Sequence, residues 1–171
     1  MSQEEGLKIR AGKLESLNDN PTHYCAGCEH GTLTRLIASA LDNLRLREKA
    51  VMIDSVGCSA LAYKYLNCDH VVAPHGRAPA VATGIKRVKP ELVVFSIQGD
   101  GDAVSIGLLE LIYAAKRATP ITIFLVNNGI YGMTGGQMAP TTLPGRVTTT
   151  TPYGRDAIST GTEFDITKLL S

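Results

Sequence analysis

The sequence has 171 residues, 44% hydrophobic and 19% charged, which suits one domain with a sizeable core and excludes a disordered chain. A formal net charge of +1 gives no general attraction to nucleic acid or to an anionic membrane. The polar N-terminus lacks a signal peptide's apolar centre and no run of about 18 apolar residues follows, so a cytoplasmic location is expected, where four cysteines read as thiols or metal ligands rather than disulfides.

Residues 1–20 read as an N-terminal arm ending in the turn-like Asn18-Asp19-Asn20-Pro21, and residues 21–171 as one α/β domain. From Thr32 to about Lys49, apolar residues from Leu33 to Leu44 recur at helical spacing. Ala50 to Ile53 predicts a strand that breaks at Gly57, Ala60 to Leu66 a helix, and His70 to Ala73 a short strand. Ala78 to Val88 predicts a helix stopped by Pro90. Leu92 to Ile97 is apolar on both faces, as a buried parallel strand should be. A helix over about Ala103 to Arg117 follows, with Ile106, Leu109, Ile112 and Tyr113 on one side. Ile121 to Val126 is a second apolar strand, and Thr148 to Thr151 a polar loop. Alternating strands and helices imply an α/β fold with a mainly parallel sheet.

Ligands in such sheets bind beyond the carboxyl ends of the strands. Three strands end in loops that carry chemistry: Gly57-Cys58-Ser59, Gly99-Asp100-Gly101-Asp102 and Asn127-Asn128. The two glycines beside Asp100 permit a tight turn, and the helix that follows offers unpaired N–H groups to a phosphate. Two carboxylates at that seat would repel an anion unless a hard divalent cation sat between them; magnesium takes carboxylates together with phosphate oxygens. Taken alone, the same residues read as a capped helix and an Asn-Gly turn. Arg77, after His75-Gly76, reads either as a phosphate donor or as a surface cation.

Gly99-Asp100-Gly101, twenty-five intervening residues and then Asn127-Asn128 resemble the fingerprint of thiamine-diphosphate enzymes. Asn128 to Gln137, Pro140-Thr141-Thr142, Val56-Gly57-Cys58-Ser59 and His75-Gly76-Arg77-Ala78 narrow this to a resemblance with the β subunits of 2-oxoacid:ferredoxin oxidoreductases, over roughly residues 21–170. The resemblance implies the thiamine-diphosphate-binding fold, with magnesium held by Asp100, Asn128 and the backbone carbonyl of Ile130. It also implies cofactor contacts from Val56, Gly57, Cys58, Ser59, His75, Gly76, Arg77, Ala78, Gly101, Asp102, Gly132 and Met133.

Cys25-Ala26-Gly27-Cys28 can place two thiolates on one metal; by itself the pair could bind zinc, act in redox chemistry or be incidental. The resemblance implies a [4Fe–4S] cluster on Cys25, Cys28 and Cys58. Its fourth ligand lies, in the family, in a C-terminal region that this sequence, which stops at Ser171, does not reach, so the fold reads as C-terminally truncated relative to the family. Cys68 reads as a buried inert thiol, with service as substitute ligand the alternative.

The resemblance implies coenzyme A-dependent oxidative decarboxylation of a 2-oxoacid, with electrons passing through the cluster to ferredoxin. 2-Oxoisovalerate is favoured over 2-oxoglutarate. An α subunit carrying the pyrimidine-binding domain is expected to supply the acid–base glutamate, and ferredoxin-like γ and δ subunits are further expected partners. Glu110 reads as a surface charge. The alternatives are an iron-free thiamine-dependent decarboxylase or dehydrogenase subunit, and a non-catalytic assembly module.

Overall fold

A computed structural model of the chain describes residues 12–171; the first eleven residues of the expected arm lie outside the described part. Within it, Leu14 and Leu17 pack against the core, and Ser16 donates to Asp42 from its backbone N–H (3.1 Å) and its hydroxyl (2.5 Å).

Helix α1 (His30–Leu44) stops short of the expected Lys49. Arg45 turns left-handed (φ 54°) and its N–H closes on the carbonyls of Asp42 and Leu41, so a 3₁₀ turn at Arg47–Lys49 takes the chain into β1 (Ala50–Asp54). Cys58–Lys64 forms a 3₁₀ helix where an α-helix was expected, and β2 (Asp69–Val72) follows. Helix α2 (Ala78–Val88) carries Pro79 in its first turn and ends before Pro90, whose ring disfavours helical backbone at Lys89. Strand β3 (Val93–Gly99) is buried along almost its whole length. The single helix expected over residues 103–117 is a π-helical turn, Asp102–Ile106, then α3 (Leu108–Lys116). Strand β4 (Thr122–Val126), the two-residue strands β5 (Ile130–Tyr131) and β6 (Gln137–Met138), and short helices α4 (Ala157–Thr160) and α5 (Ile166–Leu170) complete the described chain.

The sheet has the order β2-β1-β3-β4 and every pairing in it is parallel. On one face, Ile37, Ala38 and Leu41 of α1 meet Ala50 and Met52 of β1 and Phe95 and Ile97 of β3. On the other, Ala78 and Ala82 of α2 cover Val51, Ile53 and Val94, and Ala103, Val104 and Leu111 close over Ile123 and Leu125. These alternating in-and-out residues make the three layers. The core-facing side of α3 is Leu108, Leu111 and Ala114; Ile106, Leu109 and Tyr113, expected together on one face, are exposed in this chain. The segment is apolar nearly all round, so spacing alone does not select the inward face. No helix among the described residues is long and apolar enough to cross a membrane.

Candidate functional site

Because β1, β3 and β4 are parallel and adjacent, the loops after Asp54, Gly99 and Val126 emerge at one sheet edge. There they line a cleft with Val56, Gly57, Cys58, His75, Asp100, Gly101, Asp102, Asn128, Ile130, Gly132 and Met133 in its walls. Eleven of the residues singled out in the sequence therefore share one hollow. Its volume is ≈ 100 Å³, well below the roughly 300–1,000 Å³ of an ordinary small-molecule site.

Asp100 is 1% exposed. Its Oδ1 accepts the N–H of Gly101 at 2.8 Å, and its Oδ2 accepts the N–H of Gly129 at 2.8 Å and the hydroxyl of Thr141. All three donors are neutral, and no Lys, Arg or His among the described residues pairs with this carboxylate. A buried carboxylate held by neutral donors alone is an ordinary feature of a cation ligand. The Gly129 bond also ties the Asp100 loop to the Asn127-Asn128 bend, whose Asn128 Oδ1 accepts the N–H of Ile130 at 3.2 Å. A carboxylate, an amide oxygen and nearby backbone carbonyls, all oxygen donors, fit magnesium. Backbone approach is equally specific: a Cβ on Gly101 would lie 2.2 Å from the Tyr131 ring, and one on Gly132 would lie 3.3 Å from Cys58 Sγ and 3.5 Å from Asn128 Nδ2. Among the described residues no three His, Cys, Asp or Glu side chains converge as a metal site, so a cation here would complete its shell with ligand oxygens.

Asp102, also buried, is engaged by the protein. Its Oδ1 takes the N–H of Gly76 at 2.8 Å and lies 2.5 Å from His75 Nδ1, and its Oδ2 accepts Gln98 Nε2 at 2.5 Å. It anchors the loop before α2 to the end of β3. The π turn starts at Asp102, where the Gly107 N–H reaches the Asp102 carbonyl at 2.9 Å. It brings the backbones of Gly76 and Gly107 so close that a Cβ on Gly76 would lie 2.7 Å from Gly107 N. Single π turns of this kind recur at functional sites.

Four other predicted residues lie outside the cleft walls. Ser59 is buried with its hydroxyl 3.4 Å from that of Ser55; Ala78 packs in the core under α2; Gly76 serves Asp102. Arg77 pairs with Glu110. Glu110 is accordingly no solvated surface charge: its side chain is largely buried, and its Oε2 is buried without a partner among the described residues.

All four cysteines are free. Burial pushes the Cys58 thiol up, and the nearby Cys28 and Cys25 push it further. Cys28 Sγ lies 2.9 Å from Nδ1 of His30, whose own pKa is lowered by burial and by His23. Tyr24 stacks on His30 (centroids 5.1 Å apart), and burial holds its hydroxyl up at about 12. Cys25, Cys28 and Cys58 nevertheless do not converge as a ready metal site among the described residues. Cys68 precedes β2 at the opposite end of the sheet, packed on the core with its Sγ 3.6 Å from His70 Nε2, and is out of place as the fourth.

Several residues that support the site were given no role of their own in the sequence reading. Thr141 and Thr142 are buried, and the Thr142 hydroxyl donates to the Gly129 carbonyl at 2.6 Å. Arg155 is 5% exposed, and its guanidinium donates to six backbone carbonyls, those of Ala139, Pro140, Thr142, Thr160, Gly161 and Thr162. Tyr131 and His30 complete the cleft wall.

The chain belongs to the thiamine pyrophosphate enzymes: residues 55–171 match their C-terminal TPP-binding domain. Among curated proteins it is similar to the ketoisovalerate oxidoreductase subunit VorA of Methanothermobacter thermautotrophicus, 56% identical over 149 residues that make up 87% of this chain and 31% of that one. It is also similar to the 2-oxoglutarate synthase subunit KorB of Archaeoglobus fulgidus, 46% identical over 149 residues, 87% of this chain and 54% of that one. Among solved structures it resembles the 2-oxoglutarate:ferredoxin oxidoreductase from Magnetococcus marinus with 2-oxoglutarate, coenzyme A and succinyl-CoA bound. The TM-score is 0.84 and the identity 33%, covering 91% of this chain and 52% of that one. The chain thus spans about a third to a half of the length of these relatives.

Proposed function

We propose that this chain is the thiamine-diphosphate-binding part of a cytoplasmic 2-oxoacid:ferredoxin oxidoreductase. One observation carries the reading: a buried carboxylate, Asp100, with no basic side chain beside it among the described residues, is hydrogen-bonded at 2.8 Å to the bend that presents Asn128. Asp100, Asn128 and the carbonyl of Ile130 would hold magnesium against the diphosphate. Gly101, Gly132 and Met133 would face the diphosphate, with Asp102 fixing the His75-Gly76 loop beside it. Val56, Gly57 and Cys58 would border the cofactor from the β1 side. Bound thiamine diphosphate would supply the carbanion chemistry that releases carbon dioxide from a 2-oxoacid. This chain's residues bind and orient it, and Cys25, Cys28 and Cys58 would hold an iron–sulfur cluster within reach of the cleft.

The small cleft supports a partner subunit that closes the site and brings the acid–base group; His75 in its wall is engaged by Asp102 at 2.5 Å. Coenzyme A and ferredoxin would be the acyl and electron acceptors. The relatives named for ketoisovalerate, at 56% and 55% identity, support 2-oxoisovalerate as substrate over 2-oxoglutarate. The test is anaerobic co-expression with the adjacent subunit gene, then viologen reduction with 2-oxoisovalerate, 2-oxoglutarate and pyruvate. Magnesium-dependent cofactor binding, and viologen reduction that Asp100→Asn abolishes, is the expected result. A complex that binds the cofactor but reduces viologen with no 2-oxoacid would refute the activity. Loss of cofactor binding in neither Asp100→Asn nor Asn128→Ala would refute the site.

A further inference from the structure

Pro140-Thr141-Thr142 belongs to no helix or strand, yet both threonines are buried. Their hydroxyls serve the two loops of the cleft: Thr141 donates to Asp100 Oδ2, and Thr142 donates to the Gly129 carbonyl at 2.6 Å while accepting the Ala139 N–H at 2.9 Å. Behind them Arg155 grips the carbonyls of Pro140 at 2.9 Å and Thr142 at 2.5 Å. The segment is therefore held from behind and presents its hydroxyls forward.

An ionised carboxylate has about four lone-pair positions, two on each oxygen. In Asp100, Gly129 N–H and Thr141 Oγ1 occupy both positions on Oδ2, while Oδ1 has only Gly101 N–H. One position on Oδ1 remains. We propose that Thr141 is a positioning residue for the cation site: by filling the second lone pair of Oδ2 it fixes the carboxylate plane and makes Oδ1 the metal-binding oxygen. The inference rests on the cation–diphosphate reading above. It adds a named residue and a specific oxygen to that reading. Partners that orient a metal ligand in this way typically contribute 10–100-fold to metal affinity.

The test uses the full chain with thiamine diphosphate and Mn²⁺ as probe, following bound and free Mn²⁺ by electron paramagnetic resonance. Thr141→Val keeps the shape and removes the donor; Mn²⁺ affinity should fall by roughly 10–100-fold and the bound-ion line shape should change as the ligand oxygens rearrange. Thr141→Ser restores the donor and should stay within about threefold of the parent chain. Should valine be refused by the pocket, Thr141→Ala gives the same comparison without added bulk. A folded Thr141→Val or Thr141→Ala chain with parental Mn²⁺ affinity overturns the proposal, as does a serine variant as weak as the valine one. A parent chain that binds no Mn²⁺ with the cofactor, or an Asp100→Asn chain that binds it unimpaired, would instead remove the underlying site and the proposal together.

Discussion

Replacing His70 by glutamine removes the cation from a largely buried pair at the β1–β2 edge of the sheet. Asp54, at the end of β1, is 0% exposed, its Oδ2 lies 2.8 Å from His70 Nδ1, and its Oδ1 has no hydrogen-bond partner among the described residues. Burial works to lower the His70 pKa, but the hydrogen bonds to Asp54 and Cys68 and the charge of Asp54 outweigh it and raise the group to about 10. The sign follows from the raised value. Below the ordinary 6.5 both folded and unfolded chains are protonated at His70, and the stabilisation is complete. Between 6.5 and about 10 only the folded chain keeps the proton, so stability falls as pH rises, by at most about 1.4 kcal/mol per pH unit. The His70 side chain is 13% exposed, and solvent screening reduces the total to roughly 2–4 kcal/mol. Breaking a buried pair from one side costs about 3–5 kcal/mol; glutamine can still donate one hydrogen bond, which places the loss near 3 kcal/mol at pH 7. Urea unfolding of both chains in reducing buffer from pH 6 to 10 measures this, and subtracting the two curves cancels the other titrating groups. Curves that run parallel across that range would refute the pairing argument.

Three further outcomes follow from the same geometry. Cys58→Ser should strip most iron from anaerobically purified complex, whereas Cys68→Ser should leave iron content unchanged, as read by iron analysis and visible absorbance. Gly107→Ala puts a Cβ 2.5 Å from the Asp102 carbonyl and 2.8 Å from that of Gly76; neither is a movable side-chain tip, so the substitution should cost about 2–4 kcal/mol in urea unfolding. Arg155→Met leaves the buried carbonyls of Ala139 and Thr142, and four part-buried ones, without their donor and should destabilise the chain by about 3 kcal/mol, with Arg155→Lys recovering part of it; equal stability of the methionine variant in thermal melts would contradict the clamp.

The strands and their terminal loops were legible because a parallel strand buried on both faces shows as an unbroken apolar run, and the residues that end it sit at the ligand edge. Hence Gly57, Asp100 and Asn128 could be placed together before any coordinates. The turn at Arg45 was not legible, since a left-handed arginine has no local signature and α1's apolar spacing runs on past it. The inward face of α3 was hidden for a different reason: Ile106, Leu109 and Tyr113 repeat at helical spacing as well as Leu108, Leu111 and Ala114 do. Strands β5 and β6 have two residues each, too short for any period. Thr141, Arg155 and the partners Arg77–Glu110 and Asp54–His70 act across sequence separations of 13 to 41, and separations of that kind are fixed by topology rather than by local pattern.

Arg155 has one more consequence. The stretches around Ala139–Thr142 and Thr160–Thr162 have little regular structure, and a single guanidinium holds both. Their protection against solvent exchange is then shared: neither can open far without releasing the other, so they behave as one cooperative unfolding unit. Since Thr141 belongs to that unit, local opening near residue 160 would reach the carboxylate of Asp100 without disturbing the sheet beneath it.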